Sequence, residues 1–503
     1  VRLQLLRKTQ LSQHLECKMH PQSLLLVALS LPLHSWAETV LGLYIFSRHG
    51  DRTSKSHPPT SLTNLGQEEV DQSGTWFRNQ YVTSSAPSQI LGIHSDLVSQ
   101  AQVNVEAPED LVIFNSAQVF LQALYPPVGQ SDPETLRNGS TIQSPFNGLQ
   151  YIPIYTDDAI SSGQEDAAWL QGGTSCLNAE VSSNEFFTST EYETKLNQSN
   201  AFYASLSPVL NSTYSALALS YENAYLIWDE LNVALIHNTT IPSSSILTPG
   251  VFDMAGQLAA DHEWALAYNA SSSIRAIAGA VLAAQVVDHL NSTITGGGKS
   301  KLSIQFGAYG SFQSFWGLAG LASVSPIFKA IPDYASTMVF ELVTNATATS
   351  TQFPSPQDIS VRFLFHNGTV SNASTPTAYP LFNSTNTLMP WMEFTDSMNK
   401  VAVNGQTQWC QVCGNSTGAC AGSSSGSSSA SPSTASSSTG KSGGLTVAEG
   451  GVIGAMVTLA VLCAAAALFL IVGGFRIVKK HRAAATAGAG SGTSGSPDGR
   501  VKA

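Results

Sequence analysis

The run Val40-Leu41-Gly42-Leu43-Tyr44-Ile45-Phe46 is apolar throughout and gives way abruptly to Arg48-His49-Gly50-Asp51-Arg52. A short apolar run that stops at charged residues reads as a buried strand delivering side chains to its C-terminal edge. In open α/β sheets that edge is where ligands bind. Two arginines flank one histidine there. A guanidinium matches phosphate oxygens in a bidentate way, and an imidazole held among such groups has the chemistry of a nucleophile toward phosphorus.

The chain has 503 residues, enough for one large or two medium domains. Its two ends read as lying outside any core. The first Met is Met19, and a mostly apolar stretch from Ser23 to Leu33 leads to Ser35-Trp36-Ala37. Residues 19–37 therefore read as a secretory signal peptide, with 1–18 as a gene-model extension. At the other end, Gly450 to Phe475 contains no charged residue and is followed by Arg476, Lys479, Lys480 and Arg482. That pattern predicts a transmembrane helix over 450–475 with a cytosolic tail over 476–503. Residues 421–449 are rich in Ser and Gly and read as a flexible stalk. The predicted ectodomain is 38–420, of a single-pass type I protein at the plasma membrane or cell surface.

Eleven Asn-x-Ser/Thr sequons fall between Asn138 and Asn415, as expected of surface glycan sites on a secreted chain. Four cysteines lie in the same region: Cys176, Cys410, Cys413 and Cys420. An oxidising compartment favours disulfides over zinc, and the three pairings stay open. Residues 38–420 carry 31 Asp and Glu against 12 Lys and Arg, a formal charge of −19. Such a field repels nucleic acid and other polyanions. It leaves room for a small phosphomonoester or phosphate at the two motif arginines. A heavily phosphorylated ligand such as inositol hexakisphosphate needs more positive charge than this. No cofactor and no metal is implied.

Strand-like runs at Leu41–Phe46 and Leu302–Phe306 bracket a section with helical patterns, including Tyr221–Leu231 and Ile274–Val287. The expectation is an α/β fold with a mostly helical cap at about 129–250. Phe312, Phe315 and Trp316 read as core.

Several segments resemble the histidine acid phosphatases, branch 2 of the histidine phosphatase superfamily, and in particular fungal membrane-anchored members. Arg48-His49-Gly50-Asp51-Arg52 resembles the family's Arg-His-Gly-x-Arg motif, with Ser54 in place of its proline. Leu62-Thr63-Asn64-Leu65-Gly66 is similar to the helix entry that follows, and Ser116-Ala117 through Leu124-Tyr125-Pro126 to the second motif. Tyr334-Ala335-Ser336, Phe340-Glu341-Leu342 and Val361-Arg362-Phe363 resemble the last strands. The resemblance implies a three-layer phosphoglycerate-mutase-like core. It also implies hydrolysis of phosphomonoesters through a phosphohistidine on His49, with Arg48 and Arg52 as phosphate ligands.

Two departures touch the chemistry. The family's second motif carries an arginine where this chain has Val112. A lost charge-assisted bond is worth roughly 1.5–3 kcal/mol. The family's His-Asp pair, whose Asp protonates the leaving oxygen, is replaced by Ala308-Tyr309. A positioned acid supplies about 10²–10⁴-fold. Candidate proton donors here are Tyr309, a weak acid with an ordinary pKa near ~10, and Asp51, which otherwise reads as orienting the arginines. Asp261-His262-Glu263, on a predicted helix, is a further candidate, and His94, near the second motif, is a candidate to replace the lost phosphate ligand in part. His237, His289 and His366 read as structural or surface residues. Two functions follow from these residues: a phosphatase of reduced activity, and a pseudophosphatase with a binding or cell-wall role.

Overall fold

The computed structural model describes residues 38–156, 174–237 and 245–421. The predicted signal peptide, stalk, membrane span and tail lie outside the described residues, apart from Ala421.

Strand β1 (Thr39–Arg48) leads into α1 (Asn64–Phe77), β2 (Val103–Glu106) and α2 (Leu111–Leu124). A two-stranded hairpin of β3 (Glu134–Thr135) and β4 (Thr141–Ile142) precedes the short turn α3 (Pro145–Gly148). A helical section follows: α4 (Leu177–Asn184), α5 (Thr190–Ser205), α6 (Ser207–Leu210), α7 (Ala224–His237) and α8 (Pro249–Ala267). The chain then forms α9 (Ile277–Thr295), β5 (Leu302–Gly307), α10 (Tyr309–Leu318), β6 (Thr337–Thr344) and β7 (Ile359–His366). Short strands β8 (Thr377–Ala378) and β9 (Leu388–Pro390) and helices α11 (Trp391–Asn399) and α12 (Gly405–Cys413) complete it.

The main sheet is mixed, in the order β2-β5-β1-β6-β7-β8, with β9 also pairing β7. β1, β5 and β2 run parallel, while β6 pairs antiparallel with β1 and β7. Central strands covered on both faces read as near-continuous apolar runs, and β1 and β6 are buried almost end to end. Leu43 and Ile45 pack toward α1 and α2, among Val70, Phe77, Ile113 and Phe120. Tyr44 and Phe46 pack on the opposite face, among Leu282, Val286, Phe312, Phe315 and Trp316. A register shift between Val40 and Gly42 moves the alternation by one residue, so that Leu41 joins the second face. The sheet thus lies between two helical layers. Phe312, Phe315 and Trp316 are core, as expected, and buried completely.

The helical section has its own apolar centre, built from residues such as Tyr203, Leu210, Ile227, Leu231 and Leu258. Helix 273–295 is long and apolar enough to cross a membrane, but it is mostly buried against the sheet, as a core helix is. Cys176 pairs with Cys413 and Cys410 with Cys420, which resolves the pairing that the spacing left open.

The turn after β1 is held by a close backbone approach. A Cβ on Gly50 would lie 2.2 Å from the Gly66 carbonyl oxygen, and one on Gly66 would lie 2.1 Å from that of Asp51. Thr63 caps α1 by accepting the Gly66 N–H, so the first turn of α1 is pressed against the motif. Gly66→Ala should overpack this junction and cost about 1–3 kcal/mol. Urea denaturation measures it, and an unchanged midpoint would mean that the junction yields freely.

Candidate active site

β1 and β5 are parallel neighbours in which Arg48 faces Gly307. The residues after each strand, His49 on one side and Ala308-Tyr309 on the other, therefore emerge side by side at the C-terminal edge of the sheet. β2 ends at the same edge and leads to α2, whose N-terminus is capped by the Asp110 carboxylate on the Val112 and Ile113 N–H groups. Ser116, one turn along α2, accepts the Gly50 N–H at 3.2 Å and donates to the Val112 carbonyl at 2.7 Å. The second motif thus supports the backbone of the first. Val112 is buried apolar surface.

His49 is 1% exposed. Its Nδ1 lies 2.7 Å from the Gly50 carbonyl oxygen. A carbonyl only accepts, so Nδ1 carries a proton, and in the neutral ring Nε2 is then the basic nitrogen. That tautomer is the one a nucleophilic imidazole needs.

The arginines are committed within the protein. Arg48 donates to the Pro332 carbonyl and lies over the Tyr334 ring, 4.6 Å from its centre. Its Nε is buried without a partner. Arg52 is chelated by Asp229 of α7, at 2.9 Å to Oδ1 and 3.2 Å to Oδ2, and donates to the Tyr225 hydroxyl at 3.1 Å. Asp229 Oδ2 also accepts the Lys55 N–H at 2.8 Å. Both members of this pair are fully buried. A fork of guanidinium and backbone N–H is what a phosphate would use, and here a carboxylate of the helical section occupies it. Burial lowers the Arg52 pKa, but Tyr225, Asp229 and Tyr334 together outweigh it and leave the pKa well above its usual value.

Asp51 departs from its expected role. Its carboxylate does not orient the arginines; it accepts from Thr63 Oγ1 at 2.5 Å and from His237 Nε2 at 2.6 Å. The reason is the chain direction: Asp51 points toward α1 and the end of α7, whereas Arg48 and Arg52 meet Pro332 and Asp229. His237, read as a structural or surface residue, is that partner.

Tyr309 opens α10. Its hydroxyl donates to Glu263 Oε2 at 2.7 Å, and His262 Nδ1 approaches Glu263 Oε1 at 2.8 Å. Of the Asp261-His262-Glu263 triplet on α8, it is therefore Glu263 that meets Tyr309, while Asp261 pairs with Lys195. The Tyr309 ring lies 4.7 Å from that of Tyr225 at a tilt of 35°, and the Arg48 guanidinium lies 5.5 Å from its centre. His94 is exposed in a loop. His289 pairs with Glu106, and His366 bonds Gly368 and Ser374.

Two cavities flank this edge. One, of about 450 Å³, is lined by Lys55, Glu263, Tyr309, Gly310 and Gln313. The other, of about 220 Å³, is lined by Arg48, Glu69, Trp228, Asp333 and Tyr334. Burial pushes the Glu69 carboxyl up from 4.5 to about 7; the Asp51 N–H and the Arg48 charge oppose this, and the Asp51 and Asp333 charges add to it.

The residues missed in the sequence lie mainly on α7: Tyr225, Trp228 and Asp229. Carboxylates inside an otherwise apolar helix were the available signal, since Asp229 and Glu230 are both buried.

No protein-family model matches the chain, and no curated protein matches it. Solved structures do resemble it. The Hafnia alvei phytase is 13% identical and covers 74% of this chain and 98% of its own, with a TM-score of 0.48. The phytase of Klebsiella sp. ASR1 is 9% identical over 73% of this chain and 96% of its own, with a TM-score of 0.49. The multiple inositol polyphosphate phosphatase of Bifidobacterium longum is 11% identical over 73% and 94%, with a TM-score of 0.36.

Two outcomes test the site. Asp229→Asn leaves a buried guanidinium without its counter-charge, at a cost of roughly 3–5 kcal/mol for such a pair, and should lower the melting temperature in phosphate-free buffer. The same change should enlarge the rise in melting temperature produced by inorganic phosphate; an equal or smaller rise would show that Asp229 and phosphate do not compete. Glu69, raised to about 7, binds more protons folded than unfolded between 4.5 and 7. Its contribution is therefore fully present below 4.5 and is lost as pH rises through 7. Glu69→Gln should flatten stability across that window, by an amount on the order of 1–2 kcal/mol, in denaturation curves taken at each pH.

Proposed function

We propose that this domain is a phosphomonoester hydrolase of the histidine-phosphatase type, slow on esters with poor leaving groups. The observation that carries the reading is the His49 ring: its Nδ1–H donates to the Gly50 carbonyl, which makes Nε2 the nucleophilic nitrogen of the neutral imidazole. In the first step Nε2 attacks phosphorus, the ester P–O bond breaks, and the leaving oxygen takes a proton. In the second, water attacks the phosphohistidine and gives its proton to the conjugate base left by the first step, the P–N bond breaks with its electron pair returning to Nε2, and phosphate leaves. Arg48 and, once released from Asp229, Arg52 hold the phosphoryl oxygens.

The acid closest to the neighbouring strand end is the Tyr309 hydroxyl, backed by Glu263 at 2.7 Å. A phenol of ordinary pKa near ~10 is a weak donor at acid pH, so esters whose alcohol leaves easily should turn over best. The polyanionic substrates implied by the names of the similar structures fit this chain poorly. Its ectodomain carries a net −19, and Asp229 neutralises one of the two motif arginines.

Two further observations favour a secreted form. Two disulfides join the described residues, and none of the ten described sequon asparagines is buried.

A second reading, a binding protein without turnover, is favoured by the Asp229 chelate, which closes the anion site from within.

The purified chain assayed on an aryl phosphate beside His49→Ala tests the first reading: the variant should lose all turnover, and equal rates would end the proposal. Gly310 supplies a complementary test. It lines the larger cavity beside Tyr309, and a Cβ there meets nothing within 4 Å. Gly310→Asp should place a carboxyl in that space and raise the rate on alkyl phosphates by about 10-fold or more, with little gain on aryl phosphates. Equal gains on both would show that protonation of the leaving group is not what limits the wild type.

A further inference from the structure

We infer that the cavity beside Arg48 selects phosphomonoesters whose alcohol carries a cationic amino group, of the phosphoethanolamine and phosphocholine kind. The inference rests on the phosphate-binding reading above and names the substrate class for it.

The cavity holds about 220 Å³, below the roughly 300 Å³ at which pockets for drug-sized ligands begin. It is lined by one cation, Arg48, two carboxyls, Glu69 and Asp333, two aromatic residues, Trp228 and Tyr334, and the amide Asn232. Arg48 is 2% exposed, and its Nε is buried without a partner. A buried donor without a partner is costly, and an anionic oxygen entering the cavity would satisfy it.

A simple phosphate ester would meet Arg48 and at the same time face two carboxyls. Its own charge would then be opposed by a net negative wall. An ester that also carries an ammonium resolves the conflict, because its anionic end pairs with Arg48 and its cationic end with Glu69 and Asp333. Asp333 sits at the exposed mouth, held by the Asn367 side chain at 2.6 Å, whereas Glu69 is half-buried and receives the Asp51 N–H at 2.7 Å. An aromatic face attracts an ammonium, and an indole does so best. Arg48 already covers Tyr334, with the guanidinium 4.6 Å from the ring centre, which makes Trp228 the aromatic partner for the ligand. A zwitterion also fits the strongly acidic ectodomain, which repels polyanions and not a ligand with a balancing positive end.

The test is calorimetric titration of the full chain in detergent at mildly alkaline pH, where Glu69 is ionised. Four ligands are compared: inorganic phosphate, glycerol 3-phosphate, phosphoethanolamine and phosphocholine. The two amino-alcohol esters should bind about tenfold tighter than glycerol 3-phosphate. Glu69→Gln and Trp228→Leu should each shrink that ratio. Equal affinity for the three esters, with inorganic phosphate still bound, overturns the inference and leaves the phosphate site standing. Absence of binding by all four, phosphate included, overturns the phosphate-site reading itself. A ratio that survives both substitutions also overturns the inference, since the selectivity would then lie elsewhere.

Discussion

The buried pair of Arg52 and Asp229 is the interaction on which the arrangement of this domain turns. A guanidinium at the end of a central strand cannot be left unsatisfied in a low-dielectric interior. α7 supplies both a carboxylate and a phenol to it, and the Lys55 N–H completes the set. The pair therefore fixes where the helical section lies over the sheet edge. It also brings Trp228 and Asn232 of the same helix to the Arg48 cavity and His237 to Asp51. A buried ion pair of this kind is weak evidence for stability by itself. Its effect here is positional: it holds α7, with Tyr225 and Trp228, against the strand end.

Much of the fold was legible in the chain because period and punctuation agree. The apolar run into Arg48 is β1, the Leu62–Gly66 segment opens α1 with Thr63 as its cap, and the helix before Tyr125-Pro126 is α2. The apolar segment around Leu302 is β5, and Val361-Arg362-Phe363 lies in β7. The register shift near Gly42 was not legible, since nothing local marks which residue the pairing skips.

The site divides differently. His49, Arg48 and Tyr309 could be placed at strand ends from the sequence, and parallel pairing of β1 with β5 sets those strand ends side by side. The role of Asp51 was misread because adjacency in sequence does not set the direction of a side chain after a sharp turn. Asp229, Tyr225 and Glu263 come from helices far along the chain, and only tertiary packing reveals that they meet Arg52 and Tyr309. The pairing of the four cysteines was likewise a question of space, not of spacing.

Those disulfides have a mechanical consequence. The described chain ends at Ala421, one residue past Cys420, which is bonded to Cys410; three residues on, Cys413 is bonded to Cys176 at the start of α4. Tension applied to the chain beyond Ala421 therefore cannot peel α12 away from its end. It passes through two covalent cross-links into the first helix of the helical section, and the load is shared by parts of the chain 237 residues apart. Such a pull would reach α4 and α12 together.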